Sequence, residues 1–192
     1  MIIIIEGIQG SGKTWICNRI IKLKHVKCFD LDDISIQAFQ KVKHHPDFTQ
    51  DKMENEIIEE LVKKFSQSHI LVFVAVGLTI KLPPKTKFRT FFIDLGNLEQ
   101  MGKVYRRFLL RELKKITENQ KAIEKTIKTE FVEWIEPVIN VITKYVVGFK
   151  SWDEYKIKYD ELYKKAEKHN ATIKTQEEIF KEIKELSSNF NK

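Results

Sequence analysis

The sequence predicts an α/β fold, a five-stranded parallel sheet flanked by helices. Three observations carry that prediction. Short β-branched runs alternate with longer stretches of helical periodicity, which calls for crossover connections and a parallel sheet covered on both faces. The first run, Ile2 to Ile5, is uniformly apolar, as a strand buried on both sides must be. Directly after it, Gly7 to Thr14 reads Gly-Ile-Gln-Gly-Ser-Gly-Lys-Thr, a complete GxxxxGK[ST] pattern. That pattern works only between a strand and a helix.

Taken in order, Ile2 to Glu6 is the first strand and the glycine-rich turn leads into a helix from Trp15 to Leu23, with Ile16, Ile20 and Leu23 on one face. Val26 to Phe29 is the second strand, and it runs into Phe29-Asp30-Leu31-Asp32-Asp33 before a helix over Ile34 to Val42. After the connector His44-His45-Pro46, Asp51 with Glu54 fits the spacing of a capping box. Ile57, Ile58, Leu61, Val62 and Phe65 then recur at core-facing helical spacing. Ile70 to Val76, closed by Gly77, is the third strand, and Thr90 to Asp94 the fourth, beyond the Pro83-Pro84 connector. Asn97 with Gln100 opens a helical stretch from Leu98 to about Tyr145, broken at Pro137. Ser151 with Glu154 and Thr175 with Glu178 mark two further helix starts, on either side of a weak fifth strand, Ala171 to Lys174.

The bulk composition sets limits. A chain of 192 residues, 42% hydrophobic and 32% charged, can bury a core without disulfides. Its two cysteines, Cys17 and Cys28, are too few for a metal site, and they read as reduced residues in or near the core of an intracellular, cytoplasmic protein. The opening Met-Ile-Ile-Ile-Ile lacks the basic flank and the length of an export signal, and no run approaches the roughly 20 apolar residues of a membrane span. A net charge of +7 favours polyanionic ligands, nucleotides as well as nucleic acids. Much of the basic charge is spread along helical segments, as at Lys114, Lys115, Lys121, Lys125 and Lys128, where a solvated face is the ordinary reading.

The chemistry follows from the loop. Gly7, Gln9, Gly10, Ser11, Gly12, Lys13 and Thr14 would wrap a polyphosphate, because consecutive backbone N–H groups at a helix N-terminus offer unpaired donors and partial positive charge. Lys13 would reach the β and γ phosphates, and the Thr14 hydroxyl would go to Mg²⁺. Phosphoryl transfer also needs a carboxylate to order the metal and a group to orient the acceptor. Extended geometry after the second strand would put Asp30 and Asp32 on one side, at the sheet edge that carries the loop. Asp32 or Asp33 could equally cap the following helix.

The loop followed by Asp30-x-Asp32 resembles the small P-loop kinases related to shikimate kinase, gluconate kinase and the nucleoside monophosphate kinases. The resemblance, which covers about residues 1–111 and Ala171 to Leu186, implies a P-loop NTPase fold. The chain reads as a single domain over residues 1–192, with an acceptor-side helical insertion at about 34–66 and lid-like and extra helices at about 98–168. The resemblance also implies ATP and Mg²⁺ as cofactors, Asp30 as the residue that orders a metal-bound water, and Asp32 as the residue that orients the acceptor hydroxyl. Asp33 substitutes if the register is off by one. Tyr105-Arg106-Arg107-Phe108 with Arg111 resembles the arginine-bearing edge of a kinase lid, so Arg107 and Arg111 would clamp phosphate oxygens. Exposed surface arginines are the plain alternative. Ala171 to Leu186 resembles the strand and helix that border the adenine.

The expected activity is therefore Mg²⁺-dependent transfer of the γ-phosphoryl group of a nucleoside triphosphate to a small intracellular acceptor, a nucleoside or nucleotide first. Two alternatives stay open. One is a polynucleotide 5′-hydroxyl kinase, consistent with the basic surplus. The other is a non-catalytic nucleotide-binding switch or assembly module presenting its lysine-rich helices to a partner. The sequence specifies neither the base of the nucleotide nor the oligomeric state.

Overall fold

Four consecutive isoleucines fit a strand only where both faces of a sheet are covered, and the chain places them at its centre. The structure, a computed structural model, describes residues 1–43, 49–76, 82, 86–108, 111 and 152–190. The strands β1 (Ile2–Glu6), β2 (Val26–Asp30), β3 (Ile70–Ala75), β4 (Phe88–Ile93) and β5 (Thr172–Lys174) form one sheet in the order β2-β3-β1-β4-β5. Every neighbouring pair is parallel. β1 lies between β3 and β4, with Glu6 level with Ala75 on one side and Phe92 on the other.

Among the described residues, helices α1 (Lys13–Ile20), α2 (Leu31–Val42), α3 (Gln50–Phe65), α4 (Trp152–Lys168) and α5 (Gln176–Asn189) accompany the strands. Residues 98–108 are also helical. Alternation along the strands sorts the core into two layers. Ile2, Leu71 and Phe73 pack with Ile34 and Ala38 of α2 and Met53, Ile57 and Ile58 of α3. On the other face α1 packs against β2, β3 and α5, and Ile16, Ile20, Ile179 and Ile183 are fully buried there. β2 displays the alternation plainly. Phe29 stacks with Phe65 of α3 at 6.4 Å and the Lys27 ammonium sits 4.7 Å above the same ring, while Cys28 between them turns to α1.

The chain divides into two compact units, Met1–Asp94 with Leu162–Lys192, and Leu95–Glu161. The first holds the sheet and the loop. Within it the last turns of α4 bring Tyr163 edge-on to Phe92, with ring centroids 5.8 Å apart. The second unit is organised by aromatic packing of Tyr105 with Trp152 and Tyr155. The Leu95 N–H donates to the buried Tyr159 hydroxyl at 3.1 Å, and Asn97 caps residues 98–108 by accepting from the Gln100 N–H at 3.0 Å.

Each predicted strand is present, β1 with the predicted ends and the others with ends shifted by at most two residues. Thr175 and Glu178 form the expected reciprocal capping box. The cap of α3 is Thr49, which accepts from the Lys52 N–H at 3.3 Å, so Asp51 falls inside the first turn. Threonine two residues earlier serves the same orphan donors. The expectations at His44-His45-Pro46, Gly77, Pro83-Pro84, Ser151 and the stretch that includes Lys114 to Lys128 and Pro137 lie outside the described residues.

The cysteines depart from expectation. Cys17 and Cys28 are joined in a disulfide, with Cα atoms 5.6 Å apart across a sequence separation of 11. The turn after α1 returns the chain so closely that the second turn of the helix faces the middle of β2, within the reach of an S–S bridge.

Candidate active site at the phosphate loop

The loop begins where β1 leaves the sheet. The Gly7 N–H donates to the Ala75 carbonyl at 3.3 Å, which keeps the chain tied to β3 for one more residue, and the Ser11 N–H donates to Ile8 O at 3.1 Å to close the turn. Gly10 and Gly12 hold φ of 81° and 94°, the left-handed region that glycine occupies without steric cost. Gly12 is the N-cap of α1, and no side chain caps the helix. That is the arrangement that anion binding at a helix start uses. At Gly7 a Cβ would stand 2.5 Å from Ser11 Oγ, so bare backbone is needed there too.

Lys13 lies over this cradle. Its ammonium donates to Gly7 O at 2.7 Å and Ile8 O at 3.0 Å, which holds a positive charge against the loop. Thr14 is exposed in the first turn of α1, and Gln9 is half-buried. Ser11 Oγ is buried with no hydrogen-bond partner.

Asp30 ends β2 and caps α2, its carboxylate accepting from the Asp32 N–H at 3.1 Å. Its pKa is raised, first by burial and then by the neighbouring charges of Asp32 and Asp33, against the opposing pull of the Asp32 N–H and of Lys13. Asp30 is thus electrostatically coupled to the loop lysine. The expected extended arrangement of Asp30 and Asp32 on one side does not hold, because the chain turns helical at Leu31. The capping aspartate is Asp30, and Asp32 and Asp33 lie exposed in the first turn of α2. Acid side chains in a first turn answer the helix dipole, which makes this geometry favourable without any catalytic role.

Two groups join this site that the sequence reading passed over. Glu6, the last residue of β1, is only 1% exposed, and its Oε1 has no hydrogen-bond partner. Burial pushes its carboxyl up to about 7, against the attraction of Lys165. An acid closing an all-isoleucine strand is visible in the sequence as an anomaly, and that was the available signal. Gln176, the first residue of α5, donates its side-chain amide to the Ser11 carbonyl and packs against Gly12. Nothing local in the sequence forecasts that contact across 165 residues.

Arg107 and Arg111 belong to the second unit, both exposed, with the Arg111 guanidinium 5.8 Å from the Phe108 ring centroid. A strand, this loop and a helix at the centre of a 2-3-1-4-5 parallel sheet are a diagnostic combination. The fold is that of the P-loop NTPases. No protein-family model matches the chain, and no curated protein matches it. Among solved structures, shikimate kinase from Aquifex aeolicus is similar over 100% of this chain and 98% of its own, at 19% identity and a TM-score of 0.45. The fold assignment stands on the loop and the sheet order.

The residues present suit a nucleoside triphosphate with Mg²⁺. Among the described residues no cluster of three or more His, Cys, Asp or Glu side chains could hold a metal ion. Mg²⁺ at such a loop asks for less, since phosphate oxygens and water fill most of its shell. The Thr14 hydroxyl and the Asp30 carboxylate are the donors of the right kind at this edge of the sheet. Among the described residues no helix is long and apolar enough to cross a membrane.

Proposed function

We propose that the chain is a Mg²⁺-dependent phosphotransferase that moves the γ-phosphoryl group of ATP to a small hydroxyl-bearing acceptor, a nucleoside or nucleotide first. One observation carries this reading: the uncapped start of α1, its loop and Lys13 lie beside a half-buried carboxylate, Asp30, that feels the Lys13 charge. A loop alone binds nucleotide, whereas a loop with a metal-ordering carboxylate suits transfer.

Bound Mg-ATP supplies the transferable group and the charge that metal neutralises. The work of this chain is to hold and orient. Backbone N–H groups from Gly10 to Thr14 take phosphate oxygens, and Lys13 exchanges its loop carbonyls for them. Thr14 and Asp30 supply the oxygen donors for the metal, and Asp32 at the start of α2 orients the acceptor. β1 ends beside the point where the strand order reverses, and ligands of open parallel sheets bind outside that point.

The test is transfer of labelled γ-phosphate from Mg-ATP to a panel of nucleosides, nucleotides, small hydroxylated metabolites and 5′-hydroxyl oligonucleotides. Lys13→Ala should abolish turnover. Asp32→Asn should keep ATP binding and reduce transfer at least tenfold. Tight ATP binding with no labelled product from any acceptor would favour a nucleotide-binding switch instead.

A second reading, a polynucleotide 5′-hydroxyl kinase, has its own support. Beyond the net charge of +7, a cleft of about 410 Å³ is lined by Lys22, Lys24, His25 and Lys184 with Ser187 and Ser188, and no carboxylate lines it. Such a surface suits a phosphodiester backbone.

A further inference from the structure

The disulfide lies directly behind the site just described. Lys13 and Cys17 are four residues apart on α1, so they share a helix face. Cys28 and Asp30 are two apart on β2, so they share a strand face. The Cys17–Cys28 bond links one member of each pair, so it ties the helix that opens from the phosphate loop to the strand that ends in the candidate metal-ordering carboxylate.

Both cysteines are half-buried, within reach of a small thiol. Exchange proceeds by attack of a thiolate on a disulfide sulfur.

We propose that Cys17 and Cys28 are a reversible thiol–disulfide pair, exchanged by low-molecular-weight disulfides, and that the oxidised state holds the phosphate loop and Asp30 in register for nucleotide. The proposal rests on the nucleotide-site reading above. In the oxidising direction one cysteine thiolate attacks the small disulfide, forming a mixed disulfide and releasing one small thiol. The other cysteine then displaces the second small thiol. Two electrons pass from the cysteine pair to the small disulfide, one S–S bond is made for the one broken, and the two cysteine protons end on the released thiols. In the reduced state the covalent link between α1 and β2 is gone, and the spacing of Lys13 and Thr14 from Asp30 relaxes.

The test uses the full chain in buffers of reduced and oxidised glutathione, with free thiols trapped by alkylation and counted by intact mass. Mg-ATP affinity is measured by calorimetry at both ends of the series. Two alkyl groups should be lost as the buffer becomes oxidising, and the dissociation constant should fall several-fold. The double variant Cys17→Ser, Cys28→Ser should keep the weaker affinity in every buffer. Thiols that stay free at all ratios, or equal affinity in both states, would overturn the proposal. Absence of Mg-ATP binding in both states, with the disulfide exchanging normally, would remove the nucleotide-site reading and this proposal with it.

Discussion

A carboxylic acid at the buried end of an isoleucine strand is stable only if it gives up its charge or finds a partner, and Glu6 takes the first course. Burial raises it from 4.5 to about 7, so the folded chain holds a proton there that the unfolded chain releases near pH 4.5. The stability this group contributes is whole below about pH 4.5 and is lost as the pH rises towards 7. Glu6→Gln removes the titration while keeping the shape. The variant should gain on the wild type between pH 5 and pH 8, by on the order of 3 kcal/mol if the full shift is expressed. Urea unfolding of both proteins at the two pH values measures this, and an equal difference at both would mean that the carboxyl titrates normally. At this scale the sequence was legible where a role depends on residue type and immediate neighbours. Gly10 and Gly12 take the torsions such a loop asks for and Lys13 stands at the helix entrance, because glycine torsions and a lysine at a helix entrance are local properties. The aspartates were harder, because one residue decides whether a carboxylate ends a strand or begins a helix. Asp30 turned out to be the residue at that boundary.

Between elements, the loop is braced from an unexpected side. The Gln176 amide at the start of α5 donates to the Ser11 carbonyl, and the Thr175–Glu178 capping box fixes the backbone that presents it. Arg19 of α1 strengthens the same junction, pairing with Glu177 at 3.2 Å and lying 4.2 Å from the Phe180 ring centroid. Gln176→Ala should strip the Ser11 carbonyl of its donor, destabilise the chain by about 1 kcal/mol and weaken Mg-ATP binding. Thermal unfolding with and without Mg-ATP checks this, and an unchanged ligand-induced shift in Tm would detach α5 from the site. Element types were well forecast, since the central strands β1 and β3 are apolar runs of strand length and each helix repeats at its own period. Helix starts were less so. Thr49 and Asp51 both offer a capping oxygen, and only the fold decides between them. The meeting of Cys17 with Cys28 was unreadable for a related reason, because it depends on how tightly the turn between α1 and β2 closes.

For the molecule as a whole, the sheet order follows from few facts: parallel strands, right-handed crossovers and an all-apolar first strand at the centre. The net charge of +7 is a property at the same scale, and salt reads it out. Transfer to a nucleoside or nucleotide should change only modestly between 50 and 200 mM salt, whereas affinity for a 5′-hydroxyl oligonucleotide bound through several phosphates should fall by orders of magnitude. Steep salt dependence together with competition by oligonucleotides would favour the polynucleotide reading over the small-acceptor one.

The Ser11–Gln176 contact also bears on how the protein is made. A ribosome releases residues 7–14 long before residue 176, so while the intervening residues are made the phosphate loop is present without its brace. The β4–β5 pairing, Phe91 to Thr172 through Ile93 to Lys174, waits for the same late segment. The candidate nucleotide site should therefore mature only after α5 has been synthesised. Ribosome-bound chains halted before β5 would be expected to resist protease poorly around α1, and to gain protection once α5 has emerged.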